Sequence, residues 1–168
     1  MSDSDESKIT IREVGEIDDD DRSFIFSLSE RLARVAGLAW YTGDELIEFQ
    51  NRYIASFLAK KPEDRLLLIA EDTGGTRRGF AGAEERPDEV TGEPTAHLSL
   101  LAVTQEAEGE GAARALVGAF EASAAEQGYR LANLAVFANN ERGRAFYERL
   151  GYFNDTMTMT KPLASGNG

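Results

Sequence analysis

The sequence predicts an α/β (α+β) fold in one domain, with a mixed central β-sheet and helices on both faces. The chain has 168 residues, enough for one ordinary domain with a sizeable core. After one short strand-like stretch its apolar residues recur at helical spacing, then in three short successive runs, then in alternating helical and strand-like segments. Three successive strands followed by alternation indicate a partly antiparallel sheet with packed helices. The predicted order is β-α-α-β-β-β-α-β-α-β, without an internal repeat or a linker.

The first half of the chain predicts one strand and two amphipathic helices. Ile9 and Ile11 alternate with polar residues, as in a half-buried strand. Helical spacing predicts a helix over residues 22–36, stopped by Gly37, and a second helix over residues 44–60. We expect a disordered acidic lead at residues 1–7, one domain over residues 8–163 and a flexible tail at residues 164–168.

An acidic run at residues 18–21 precedes the first predicted helix. Four carboxylates could form a metal-binding cluster. They could instead supply an N-cap and first-turn negative charge, which the helix dipole favours. We expect the capping role.

The second half of the chain alternates strand and helix signals. Turn residues at 72–75 and a loop at 86–94 separate strands, and Gly128 and Gly151 each end a helix. The predicted strands are 66–71, a strand beginning at 79–83, 96–103, 131–137 and 157–163, and the predicted helices are 112–127 and 140–150.

Composition limits the class of protein. Apolar residues make up 42% and charged residues 29%, which is typical of a globular domain. No stretch approaches the ~20 apolar residues of a membrane span, and the N-terminus lacks the apolar core of a signal peptide. The absence of cysteine excludes disulfides, thiolate nucleophiles and cysteine metal sites. We therefore expect a soluble cytoplasmic protein.

The charge is strongly acidic. Thirty Asp and Glu face eighteen Lys and Arg, and only four of the basic residues are lysine, so the net charge is −12. Such a surface repels nucleic acid and anionic membranes, and salt screens its self-repulsion. We expect neither nucleic acid nor membrane as a partner. The pattern is typical of proteins from salt-accumulating halophiles, and an acidic mesophile protein is the alternative.

A glycine-rich turn, EGEGAA, joins a predicted strand directly to a helix at residues 108–113. The first turn of a helix carries unpaired N–H groups and partial positive charge, so it can bind a phosphate. Glycines at 109 and 111 remove side chains that would block the approach. Many strand-to-helix turns carry two glycines only to reverse the chain, so this turn alone is weak support.

Two longer segments carry a family resemblance. LAVTQEAEGEGAARALVGAF resembles the acetyl-CoA-binding motif of the GNAT family of N-acetyltransferases, and ANNERGRAFYERLGY resembles its second motif. The resemblance covers residues 96–152. It implies a GNAT-like fold, acetyl-CoA as co-substrate, and direct attack of an acceptor amine on the thioester in a ternary complex. The resemblance also implies a small-molecule or protein amine as acceptor, and a homodimer as an assembly that relatives often form.

The resemblance also implies a set of cofactor-binding residues. The backbone of residues 101–103 pairs with the pantetheine arm, the glycine turn binds the pyrophosphate, and Asn140 caps the last helix beside the arm. The expected cofactor contacts are Leu101, Ala102, Val103, Glu108, Gly109, Glu110, Gly111, Ala112, Ala113, Arg114 and Asn140.

Three positions depart from the family pattern. Glu108 replaces the usual basic residue and Glu110 adds a second acid, so both should oppose a diphosphate unless solvent or ions screen them. Arg114 could restore positive charge. Gly143 stands where the family often has alanine, at a cost in helix stability.

Catalytic roles follow from the same resemblance. Tyr147 is the expected general acid for the departing thiolate, and His97, the only histidine, is the expected base for the acceptor ammonium. Plain core or edge positions are the alternatives for both, and Glu84 and Glu85 are alternative bases. Trp40, Tyr41 and Phe80 are candidates for the acceptor site, with core packing preferred for Phe80.

Two non-enzymatic interpretations remain open at this stage. The chain could be a non-catalytic acyl-CoA-binding regulatory module that keeps the fold, as Glu108 could indicate. It could also be an acidic partner protein whose glycines merely form a turn.

Overall fold

The protein is described here as a computed structural model that covers residues 8–34 and 40–164. Its elements are β1 (Thr10–Glu13), α1 (Asp19–Ser27), α2 (Ser29–Ala33), α3 (Gly43–Leu58), β2 (Leu66–Glu71), β3 (Arg77–Pro87), β4 (Pro94–Val103), α4 (Ala112–Glu126), β5 (Ala132–Leu134) and α5 (Glu141–Arg149). The five strands form one sheet in the order β1-β2-β3-β4-β5. The first four are antiparallel and β5 runs parallel to β4, which confirms the predicted mixed sheet.

Helices cover both faces of this sheet, as predicted. On one face α1 and α3 bury Ile25, Ile54 and Phe57 against β2, β3 and β4. On the other face α4 buries Leu116 and Phe120 against the same strands. Alternation of side chains along each strand supplies both layers. Within the described ranges, no helix has the length and apolar character needed to cross a bilayer.

The first predicted helix is two helices. α1 starts at residue 19, three residues earlier than expected, and α2 follows it after a break at Leu28. The apolar spacing continues through Leu28 and Leu32 and therefore could not reveal the break. The stop predicted at Gly37 lies outside the described residues. α3 begins with a capping box in which Thr42 and Glu45 bond each other's backbone N–H.

The acidic run at residues 18–21 forms the N-cap and first turn of α1, and it has a capping and anchoring role. Asp18 accepts the N–H of Asp21 at 2.8 Å and so forms the expected N-cap. Asp21 is buried, with its side chain 2% exposed, and it pairs with Arg12 at 2.9 Å and Arg77 at 2.8 Å. Among the residues that the structure describes, no group of acids or histidine is arranged to hold a metal.

The hairpin of β3 and β4 is longer than predicted. β3 extends to Pro87 and β4 starts at Pro94, so the connection is residues 88–93 rather than 86–94. Asp88 closes this turn by accepting N–H bonds from Val90 and Thr91.

The prediction of a last strand at residues 157–163 is wrong. Residues 152–164 have no helix or strand, and β5 covers only residues 132–134 rather than 131–137. Phe153 and Met159 are 93% and 87% exposed. Alternating apolar residues predict a strand only where a neighbouring strand accepts their backbone bonds. In the described chain this C-terminal segment lies outside the sheet.

Candidate functional site

A gap opens in the sheet where β4 and β5 separate. The two strands pair only from Ala96 with Ala132 to Leu98 with Leu134. β4 continues to Val103, whereas the chain after Leu134 leaves strand geometry. Along its last residues, β4 therefore has a strand partner on one side only within the described structure.

The hydrogen-bond pattern shows which backbone groups face that gap. Thr104 donates its N–H to the carbonyl of Arg78 at 2.9 Å, and the next pair along is Val103 opposite Gly79. In an antiparallel ladder, bonded and non-bonded pairs alternate. The N–H and C=O groups of Val103 and Leu101 consequently point away from β3 and into the gap.

The glycine turn lies directly after β4. Gly109 and Gly111 have φ angles of +79° and +85°, and Gly111 is the residue before α4. An added Cβ at either position meets nothing within 4 Å, so these glycines are required by backbone conformation rather than by crowding. Gly111 offers no side-chain oxygen to the N–H groups of Ala112 and Ala113, which begin α4. Arg114 is exposed on the same turn.

Glu108 is neutralised by two arginines from other elements. Arg31 of α2 donates through Nε to the carbonyl of Val103 at 2.7 Å and through Nη2 to the Glu108 carboxylate. Arg142 of α5 lies 3.5 Å from the other carboxylate oxygen. The hydrogen bond from Arg31, aided by Arg142, lowers the pKa of Glu108. Glu110 is exposed.

Sequence reasoning missed both arginines. Arg31 and Glu108 are 77 residues apart, and no local pattern connects them. Arg142 stands inside the segment quoted for the second motif, one step into α5. The sequence signal that could have indicated Arg142 was its place at the start of the last predicted helix, within the second motif.

Asn140 caps α5 by accepting the N–H of Gly143 at 3.0 Å. A Cβ at residue 143 would stand 2.5 Å from the Asn140 side-chain nitrogen. The glycine that departs from the family pattern therefore leaves room for the cap. Any loss of helix propensity is offset in part by that bond.

Tyr147 lies on α5 in an aromatic group. Its ring contacts Phe146 and Tyr152 edge-on, with centroids 5.1 and 5.7 Å away. The group packs against the α4 side of the sheet together with Leu101 and Val103. Burial, with a smaller contribution from Tyr152, raises the pKa of Tyr147 well above its usual value, so the phenol remains protonated.

His97 lies on the opposite face of the sheet. Its neighbours Ala96 and Leu98 pack against α4, so alternation directs the imidazole to the face that carries α3. The ring is 8% exposed and its Nδ1 lies 2.6 Å from Oδ1 of Asn133 on β5. Burial is the main cause that lowers the pKa of His97, and the nearby Arg86 lowers it further, so the ring is neutral near pH 7.

The alternative bases are already engaged. Glu84, opposite His97, contacts Lys60 at 2.8 Å and Arg86 at 2.9 Å and accepts from Ser99 at 3.1 Å. Burial alone would raise the pKa of Glu84, but these hydrogen bonds together lower it. Glu85 accepts the phenol hydrogen of Tyr129.

The residues considered for the acceptor site differ in burial. Phe80 is fully buried between β2 and β4 and is a core residue, as preferred from the sequence. Trp40 and Tyr41 are 45% and 49% exposed and follow the segment 35–39, which lies outside the described residues.

Comparison with known proteins gives a family and a fold. The family model described as the Acetyltransferase (GNAT) family matches residues 25–152. A comparison with curated proteins finds no significant match.

Solved structures agree with this chain over almost their whole length. A Pyrococcus furiosus protein described as an acetyl transferase is 22% identical, with a TM-score of 0.73 over 93% of this chain and 100% of its own. The aminoglycoside N-acetyltransferase AAC(6')-Iy, in complex with CoA, is 18% identical, with a TM-score of 0.64 over 95% and 97%. Glucosamine-6-phosphate N-acetyltransferase from Arabidopsis thaliana is 16% identical, with a TM-score of 0.61 over 94% and 99%. Likeness at these identities shows a shared fold.

Proposed function

The chain belongs to the GNAT acetyltransferase family, and from that premise we propose that it transfers the acetyl group of acetyl-CoA to an acceptor amine by direct attack in a ternary complex. The observation that carries the proposal is the gap beside β4, into which the backbone of Leu101 and Val103 points. That gap adjoins a helix start suited to a phosphate, at Gly111.

The cofactor is proposed to lie along this gap. The N–H and C=O groups of Leu101 offer the pantetheine amides the hydrogen bonds of an added strand, and the N–H of Val103 faces the same gap. The backbone of Ala102 instead pairs with Phe80 of β3, and the carbonyl of Val103 already accepts from Arg31. The first-turn N–H groups of α4, between Gly109 and Arg114, face the pyrophosphate. The thioester supplies the activated acetyl group. Because two guanidinium groups already neutralise Glu108, that carboxylate presents little repulsion to the diphosphate.

The two catalytic side chains lie on opposite faces of the sheet. We propose that neutral His97 removes a proton from the acceptor ammonium, directly or through a water. Tyr147, on the face with Leu101 and Val103, donates to the sulfur as the thiolate forms. The N–H of Val103, which points into the gap, polarises the thioester carbonyl.

The raised pKa of Tyr147 defines how it acts. An alkyl thiol has a pKa of ~8.5, below the raised pKa of this phenol, so complete proton transfer to a thiolate is uphill. Hydrogen-bond donation to the developing negative charge needs no such transfer. The phenol therefore stabilises the leaving sulfur by hydrogen-bond donation and keeps its own proton, and the departing thiolate takes a proton from water in solvent.

The acceptor is assigned only as a small-molecule or protein amine. Solved relatives in the fold are named for aminoglycosides and for glucosamine-6-phosphate. The exposed Trp40 and Tyr41 are proposed to flank the acceptor. A homodimer, and the exclusion of nucleic acid and membranes as partners, remain predictions.

The acidic composition is proposed to reflect life in high salt. A net charge of −12 with only four lysines is better tolerated where salt screens repulsion. We accordingly propose a cytoplasmic enzyme of a salt-accumulating cell.

Calorimetric titration with acetyl-CoA, at low and at molar KCl, tests the first part of the proposal. A thiol-release assay with a panel of amines tests the second. We expect binding, and CoA release that depends on an amine. Binding without release across the panel indicates a non-catalytic acyl-CoA-binding module, and no binding at any salt indicates a partner protein whose glycines only form a turn.

A further inference from the structure

We infer that Asn133 and Thr95 are positioning residues that hold His97 in one tautomer, with hydrogen on Nδ1 and a free lone pair on Nε2. This inference rests on the proposed function for its catalytic meaning, because there His97 is the base. The tautomer of His97 and the hydrogen bonds that select it can be measured whether or not the chain is active. The three side chains lie on neighbouring strands, with Thr95 and His97 on β4 and Asn133 on β5.

The assignment begins at a backbone carbonyl that can only accept. Thr95 Oγ1 lies 2.8 Å from the carbonyl oxygen of Arg86 on β3 and donates to it. A hydroxyl has one hydrogen, so once that hydrogen is committed Oγ1 can only accept from other groups. Thr95 is fully buried, so its hydroxyl does not exchange hydrogen bonds with bulk water.

The direction of the Asn133 amide follows. Its side chain lies 3.1 Å from Thr95 Oγ1, which needs a donor, so the group facing Thr95 is Nδ2. The carbonyl oxygen, Oδ1, must then face His97. An amide oxygen cannot donate, so His97 Nδ1, 2.6 Å away, must carry the hydrogen.

The result is a neutral imidazole whose Nε2 is available to accept a proton. Charged groups near the ring include Glu84 and Arg86 of β3, and Glu84 is itself paired with Lys60, which follows the end of α3. Asn133 orients the ring without adding the negative charge that a carboxylate would bring. The network therefore selects which nitrogen acts and leaves the ring readily deprotonated.

Long-range ¹H–¹⁵N spectroscopy of the full chain tests the proposed tautomer. His97 is the only histidine, so every imidazole signal belongs to it. At neutral pH we expect Nδ1 to show a protonated, pyrrole-type nitrogen shift and Nε2 an unprotonated, pyridine-type shift. A protonated Nε2 in the unmodified protein overturns the inference without any variant.

Variants test the two positioning residues separately. Asn133→Ala and Thr95→Val should both move the two nitrogen shifts toward averaged values, because the ring or the amide is released. Asn133→Asp should restore the Nδ1-protonated form and raise the pKa of His97. Ser99→Ala is the matched control on the same strand, since Ser99 bonds Glu84 rather than this network. An unchanged spectrum in Asn133→Ala also overturns the inference.

Kinetics separate this inference from the proposed function. Asn133→Ala should lower kcat by up to about 10²-fold, the lower end of what a positioned base contributes, with little change in acetyl-CoA affinity. Asn133→Asp should recover part of that loss and move the acidic limb of the pH profile upward. If His97→Ala retains full turnover, the base role fails while the tautomer assignment stands on its spectrum.

Discussion

Tyr147 is the residue whose proposed role can be tested most directly, because one substitution removes only its hydroxyl. Tyr147→Phe keeps the ring against Phe146 and Tyr152 and removes only the hydroxyl. Because the phenol is protonated and is proposed to donate to the leaving sulfur, we expect kcat to fall by about 10²-fold while the Kd for acetyl-CoA stays nearly constant. Thiol release gives kcat and calorimetry gives Kd.

Tyr152→Phe is the matched control for that change. The Tyr152 hydroxyl is buried and, among the described residues, has no hydrogen-bond partner. Its removal should leave kcat unchanged and leave stability equal or slightly higher, because an unsatisfied polar group is lost. A large loss of cofactor affinity with normal turnover in Tyr147→Phe would refute the proposed hydrogen-bond donation to the sulfur.

At single residues, helix capping and burial in the core were easier to predict from the sequence than charge pairing. The cap at Asn140 and the core position of Phe80 could be predicted, because capping is local and Phe80 stands in an apolar run. The sequence predicted that Glu108 would repel a phosphate. That prediction ignored its partners Arg31 and Arg142, because both come from distant segments of the chain. Residues that neutralise a charge across the fold leave no periodic signal in the sequence.

At the scale of elements, a buried ion cluster joins α1 to the sheet. Asp21 of α1 bonds Arg12 of β1 and Arg77 of β3, and Arg12 also contacts Glu71 of β2. Asp21→Asn removes the charge that both arginines need. We expect a loss of about 3 kcal/mol in the free energy of unfolding, at the low end for a broken buried pair because the arginines are partly exposed.

The pH dependence of that loss is defined by the direction of the pKa shift. Hydrogen bonds from Arg12 are the main cause that lowers the pKa of Asp21 in the folded state. Its contribution is therefore complete above the unfolded pKa of ~3.9 and is lost as pH falls through the folded value. Urea unfolding at a series of pH values should show the difference between wild type and Asp21→Asn shrinking below about pH 4. Asp20→Asn, an exposed neighbour, should show little difference at any pH.

Helices were easier to predict than strand pairing, for a physical reason. Apolar spacing and caps are local, so α3, α4 and α5 lie within a few residues of their predicted ranges. Pairing depends on a partner elsewhere in the chain. Alternation alone therefore overestimated β5 and predicted a last strand at residues 157–163, which has no pairing in the described structure.

Over the whole molecule, the net charge of −12 should make stability depend on salt. Between low salt and molar KCl, screening removes long-range repulsion, because the Debye length falls to ~3 Å at 1 M. We expect Tm to rise by a few degrees, equivalent to about 1–2 kcal/mol for a domain of this size. Differential scanning fluorimetry measures the shift, and KCl avoids the general stabilisation that sulfate gives. A constant or falling Tm would contradict the high-salt interpretation.

The exposed C-terminal segment also determines where oxidants act on this protein. The chain has no cysteine and three methionines, of which Met157 and Met159 are 76% and 87% exposed. Sulfoxide formation makes a methionine polar, which disrupts a core but costs little at an exposed position. Peroxide should therefore oxidise both residues, detectable by mass spectrometry, while the Tm stays unchanged. We therefore expect oxidative damage on a segment outside the sheet, because the described residues that pack around the gap beside β4 contain no sulfur.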